Sequence, residues 1–157
     1  METFDPSSTP KSVLDVVEAD SFWCLTKLLD GIQDNYIHTQ PGIQRQVAAL
    51  RDLVQRIDVS LTKHLTDQGV EFIQFSFRWM NCMLMREVSV KNTIRMWDTY
   101  MAEGQGGFSE FHLYVCAAFL VKWSEQLQKM DFQVRAFPFR YPEPDGVIDD
   151  VFALGRA

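Results

Sequence analysis

Only three cysteines occur in 157 residues, Cys24, Cys82 and Cys116, and no two are close in sequence. That spacing offers neither a disulfide framework nor a paired metal motif, and it points to a reducing compartment. Basic residues are also scarce. Fifteen Lys+Arg against twenty-one Asp+Glu leave a net charge of −6 and a pI near 5.0. No basic stripe is present to track a phosphate backbone, so nucleic acid is excluded as a partner class. Long apolar runs are missing too: the densest, Phe111 to Val121, contains His112 and Tyr114. It is about half of the roughly 20 residues a membrane helix needs. The acidic start, with Pro6 and Pro10, has neither the basic region nor the apolar run of an export signal. The expectation is a cytoplasmic protein with no transmembrane segment. Period-two alternation is likewise absent, which argues against sheets and for an all-α domain.

What is present suits one globular domain: 46% hydrophobic and 23% charged residues. A chain of this length can bury roughly 70% of its unfolded surface, so neither disulfides nor a structural metal is needed. Residues 1–10, rich in Ser, Thr and Pro, read as a flexible lead-in, and residues 134–157, with Pro138, Pro142 and Pro144, as an irregular tail. Between them the periodicity predicts five to six helices. Ser12 is a candidate N-cap with Asp15 three residues on. Val13, Val16, Val17, Phe22, Leu25, Leu28 and Leu29 follow at helical steps, with a possible break around Glu18 to Ser21. Ile43, Val47, Leu50, Val54, Ile57, Leu61 and Leu65 predict one long helix with a single buried stripe, ended by Gly69.

Glu71 to Met85 is apolar on nearly every side and predicts a central helix, with Gln74, Arg78 and Asn81 sharing one polar seam. A further helix starts at Ser89 or Val90 and ends at the Gly104 to Gly107 loop. Ser109 is the candidate cap of the last helix, whose buried stripe runs through Leu113, Cys116, Leu120, Trp123, Leu127 and Met130.

Candidate chemistry is sparse. Arg78, emerging from an apolar helix, has the character of a charge-stabilising finger, but pairing with Asp98 or Glu87 explains it more simply. Arg95 and Asp98, three apart, read as a local pair. His112 and Cys116 stand four apart on one helix but lack the further ligands of a metal site. The Gly104 to Gly107 loop lacks the strand and the Lys-Ser or Lys-Thr of a phosphate cradle. Glu18 and Asp20 fall on different helix faces, and no nucleophile elbow occurs. No catalytic residue, metal or cofactor is assigned. Residues 1–40 hold two basic and seven acidic groups, an acidic region able to steer a basic partner.

The residues themselves add a resemblance. Glu18 to Cys24 (EADSFWC) and Leu28 to Tyr36 (LLDGIQDNY) resemble the centre of the TBC domain of Rab GTPase-activating proteins. Phe75 to Cys82 (FSFRWMNC), Met85-Arg86-Glu87 and Ile94 to Tyr100 (IRMWDTY) follow in that family's order. Phe111 to Ala118 (FHLYVCAA) extends the match toward the fungal Golgi-type Ypt/Rab subgroup. The resemblance runs from about Lys11 to Gln133 and implies an orthogonal helical array, the C-terminal lobe of a TBC domain.

By resemblance, the function is activation of a Rab/Ypt GTPase in vesicle traffic, peripheral at Golgi membranes. Family members insert an arginine from I-x-x-D-x-x-R and a glutamine from Y-x-Q, both upstream of the Phe-Trp-Cys segment. Residues 1–20 contain neither Arg nor Gln, and Tyr36 is followed by glutamine only at Gln40. The expectation is a catalytically silent half-domain, with Asp20, Phe22, Trp23, Asp34 and Tyr36 as partner-binding residues. Arg78, Trp79, Glu87, Arg95, Trp97 and Asp98 are the structural motif residues. The alternative is a non-catalytic helical scaffold or a truncation product that self-associates through exposed apolar surface.

Overall fold

A computed structural model describes residues 6–130. The expected irregular tail, 134–157, lies outside the described residues, as do the first five residues of the lead-in; Pro6–Ser8 forms one 3-10 turn. Six α-helices follow among the described residues: α1 (Lys11–Leu29), α2 (Pro41–Ile57), α3 (Val59–Asp67), α4 (Phe72–Cys82), α5 (Val90–Ala102) and α6 (His112–Leu127). The domain is all-α, as the periodicity predicts.

The core forms where α2 packs on α4 and α6. Ile43, Leu50 and Val54 of α2 meet Leu61 and Leu65 of α3, Trp79 and Met80 of α4, and Cys116 and Leu120 of α6, all essentially solvent-free. Aromatic rings stack edge-on through this centre: Phe75 on Trp79 at 5.2 Å and Trp79 on Phe119 at 5.6 Å between centroids. Such offset contacts suit the ring quadrupoles. Tyr100 makes a second aromatic cluster with Phe108 and Phe111.

Several local expectations are corrected. The predicted long helix from Ile43 to Leu65 is two helices, because Asp58 leaves helical geometry at φ −140°, ψ 81°. Its carboxylate accepts the Leu61 backbone N–H at 2.9 Å and so caps α3. Ile57, expected in the buried stripe, is 55% exposed at this corner. The first helical region is one unbroken helix, and Pro10, not Ser12, precedes it without a side-chain cap. Pro10 fits there because the first helical turn leaves N–H groups unpaired in any case.

Helix α4 stops at Cys82 and is not buried all round: Ile73 and Phe77 remain more than a third exposed. Its end is tight, with Met83 (φ 47°) and Leu84 (φ 58°) both left-handed and both buried. Non-glycine residues rarely adopt that region, and here packing holds them in it. The Met83 carbonyl also accepts from Trp97 Nε1 at 3.2 Å. Ser89 caps α5 as expected, taking the Asn92 N–H at 3.3 Å. Ser109 does not cap α6. A π-helical turn, Gly107–Phe111, runs directly into that helix, and the Ser109 hydroxyl turns back to the Gly106 carbonyl. Gly107 touches the Tyr100 backbone so closely that a Cβ would overlap the Tyr100 carbonyl oxygen.

Candidate functional site

Three of the expected partner-binding residues stand on α1. Asp20 is exposed, and Phe22 and Trp23 are 62% and 68% exposed, their rings edge-to-face at 5.4 Å. Two adjacent large aromatics held so open to water are unusual, and patches of this kind mark docking surfaces. The other two lie on the segment after α1. Asp34 forms an ion pair with Arg45 of α2. The Tyr36 hydroxyl donates to the Asn81 carbonyl at 3.0 Å, and its pKa is raised by burial and by the neighbouring Cys82.

Tyr36 closes one side of an apolar groove of about 640 Å³ whose other walls are Leu25, Leu28, Ile37, Met85 and Trp97. The structure therefore brings Tyr36 and Trp97 together. Phe22 and Trp23 are not part of this groove; they sit further up α1. Asn35, between Asp34 and Tyr36, is fully buried and its Nδ2 lies 3.4 Å from Gln46 Oε1. That contact roots the loop in α2.

The motif residues divide by burial. Trp79 is central in the core. Arg78, one position earlier, turns outward, and its Nε meets Glu87 Oε1 at 2.5 Å. The Glu87 side chain is 2% exposed and the Arg78 side chain 48%. The arginine therefore covers a buried carboxylate, which would be costly to leave without a counter-charge. Arg95 Nη1 reaches the Thr99 hydroxyl at 2.5 Å, one turn along α5, and Asp98 is exposed.

One polar assembly escaped the sequence reading. His112 is completely buried, with Nδ1 2.9 Å from the Tyr100 hydroxyl and Nε2 3.2 Å from the Trp79 carbonyl. A carbonyl can only accept, so Nε2 carries the hydrogen and Nδ1 accepts from Tyr100. Burial lowers the His112 pKa to about 4 against a small opposing effect of the Trp79 carbonyl. Burial likewise raises Tyr100 and Cys116 well above their usual values. The sequence paired His112 with Cys116, whose Sγ is 3.5 Å from Nε2, but gave no signal for Tyr100. With no access to solvent and both ring nitrogens engaged, this histidine joins helices and carries no chemistry. No cluster of three or more metal-ligating side chains exists among the described residues. None of the helices described is long and apolar enough to cross a membrane.

Comparison with known proteins agrees with this fold. The family model for the Rab-GTPase-TBC domain matches residues 12–128. The GTPase-activating protein gyp1 of Schizosaccharomyces pombe is 69% identical over 153 residues, covering 97% of this chain and 30% of that protein. Human TBC1 domain family member 22B is 56% identical over 134 residues, 85% of this chain and 26% of that protein. The crystal structure of the Ypt/Rab-GAP domain of Gyp1p superposes with a TM-score of 0.88 at 54% identity, over 98% of this chain and 48% of that one. The chain thus spans less than a third of these curated relatives and about half of the solved domain.

Proposed function

Because the chain belongs to the Rab-GTPase-TBC domain family, we propose that it forms one half of a Rab GTPase activator and that, alone, it binds a Rab weakly without accelerating hydrolysis. The observation that carries the silence is residues 1–20, which hold neither the arginine nor the glutamine that the family resemblance puts ahead of the Phe-Trp-Cys segment. Arg78 supports the same reading, because its guanidinium is engaged by Glu87. Residual Rab contact falls to Asp20, Phe22, Trp23 and Tyr36, exposed on and after α1, and to the half-buried Asp34 beside them. A role in vesicle traffic at Golgi membranes follows from the subgroup that Phe111 to Ala118 resembles.

The test is single-turnover GTP hydrolysis by a panel of Rab proteins with the chain in excess. An arginine finger contributes roughly 10³ to 10⁵ in rate. The expected acceleration here is below about tenfold, less than a hundredth of that lower bound. A larger effect overturns the silence, and its loss in Arg78→Ala would name the residue responsible.

A second reading, a non-catalytic scaffold that self-associates, draws on the exposed apolar surface of α1. Binding that prefers the GTP-bound over the GDP-bound Rab excludes it, since a scaffold has no reason to distinguish them.

A further inference from the structure

The described residues end at Met130, on the flank of α3. Its carbonyl accepts from His64 Nε2 at 3.2 Å, and Met130 packs against the core. Twenty-seven residues follow it in the sequence. Thirteen of these are hydrophobic and five of the thirteen aromatic, a share close to the 46% of the whole chain. A segment of that composition gains free energy by burial. Its centre also carries a pattern: Phe137, Phe139 and Tyr141 alternate with Pro138, Arg140 and Pro142. A residue before proline is biased to extended geometry, and in an extended chain every second side chain faces the same way. The three rings then share one side. The prolines bar such a segment from the interior of a sheet. They suit it to an apolar wall, because each removes a backbone N–H that burial would leave dry.

A surface of the matching kind lies beside α3. A cleft of about 860 Å³ opens between α2, α3 and α4, with Val47, Thr62, Thr66, Val70, Ile73 and Phe77 in its walls. Ile73 and Phe77 are 38% and 39% exposed, an apolar pair on α4 open to water. Thr62 and Thr66 stand two positions either side of His64, so the cleft and the His64 bond lie on different sides of one helix. Residues 131–136 span up to roughly 20 Å when extended. That is enough to cross a helix of about 10–12 Å diameter and bring Phe137 to the cleft. The apolar groove under Tyr36 has no wall on α3.

We propose that residues 137–142 occupy this cleft as an extended strap, with the rings of Phe137, Phe139 and Tyr141 laid on Ile73 and Phe77. The chain thereby covers apolar surface of its own. The strap lies beyond the residues 12–128 that the family model matches. The inference does not depend on whether the chain activates a GTPase.

The test is limited trypsin digestion of the full 157-residue chain, timed for the cut after Arg140 and compared with a free peptide of residues 131–157. Cleavage of such a site follows the fraction of time it is open. The cut in the chain is expected to be slower than in the peptide by about tenfold or more. Phe77→Asp, at an exposed position and with helicity checked by circular dichroism, is expected to bring the two rates to within about twofold. Phe137→Ser with Phe139→Ser, compared with a peptide carrying the same changes, should do so without touching any helix. Met85→Asp, in the groove under Tyr36, should leave the protection intact. Equal rates in chain and peptide overturn the proposal. So does protection lost in Met85→Asp and kept in Phe77→Asp, which would seat the segment in the other groove. Protection that rises with concentration alongside a dimer in sedimentation overturns it too, since the strap would then lie on a second copy.

Discussion

Ser124 on α6 donates its hydroxyl to Asp58 Oδ2 at 2.5 Å, across 66 positions of sequence. The other carboxylate oxygen takes the Leu61 N–H and the Ser60 hydroxyl, so one aspartate both caps α3 and fastens it to α6. The breaking of the long apolar stripe at this residue is therefore the device that lets α3 turn and pack.

Replacing Asp58 removes the cap and takes away the acceptor of the Ser124 hydroxyl, which keeps only the bond it accepts from Gln128. Burial acts to raise the carboxyl pKa, but the bonds from Ser124, Leu61 and Ser60 prevail and lower it. Asp58→Ala is expected to cost about 1–2 kcal/mol in urea unfolding. Its contribution is present above the ordinary carboxylate range and lost as pH falls through the lowered value. An Asp58→Ala chain as stable as the parent would show that the corner is made by packing alone.

His112 supplies a pH dependence of its own. Folded, it titrates at about 4; unfolded, it takes up a proton near the usual 6.5. The unfolded state binds more protons between these values, so stability rises with pH through that window and is complete above it. The loss from pH 7 to pH 4 is on the order of 3 kcal/mol, since a tenfold difference in proton affinity between the two states corresponds to about 1.4 kcal/mol. Urea melts at pH 7 and pH 5 measure the slope, and His112→Gln is expected to flatten it at lower overall stability. An unchanged slope in that variant would place the titration elsewhere.

Gly106 and Gly107 are adjacent and should respond oppositely. A Cβ at Gly107 overlaps the Tyr100 carbonyl, whereas at Gly106 the nearest atom is a Glu110 side-chain oxygen at 3.7 Å. Gly107→Ala is expected to cost about 2 kcal/mol or more by forcing α5 from the π-helical turn. Gly106→Ala should be neutral to within about 0.5 kcal/mol. Thermal melts of the two variants side by side decide it; equal midpoints would mean that the turn shifts freely.

Much of this fold was readable because α2, α5 and α6 each bury one stripe at regular steps. The corner at Asp58 was not, since Ile57, Leu61 and Leu65 continue the same spacing across it. Only backbone geometry distinguishes a helix that continues from one that restarts. Helix α1 differs in another way: its apolar residues recur at helical steps, yet they surround the helix and all of those before Leu28 lie exposed. Of the candidate site, Phe22, Trp23 and Tyr36 were singled out through motif resemblance. The groove that Tyr36 shares with Trp97 was invisible, because its walls come from segments distant in sequence. The Tyr100 partner of His112 was hidden for the same reason.

The Trp79 carbonyl is a meeting point: the N–H groups of Met83 and Leu84 and the His112 imidazole all point to it. Through His112 it also reaches Tyr100, so the end of α4, the last turn of α5 and the start of α6 share one set of hydrogen bonds. None of these can be released singly without leaving a buried polar group dry. Their amides should therefore exchange with solvent only by global opening, as one cooperative unit, while those of α1 exchange through local fraying. The molecule thus keeps two clocks, a slow one for the clasped helices and a fast one for the helix that stands apart.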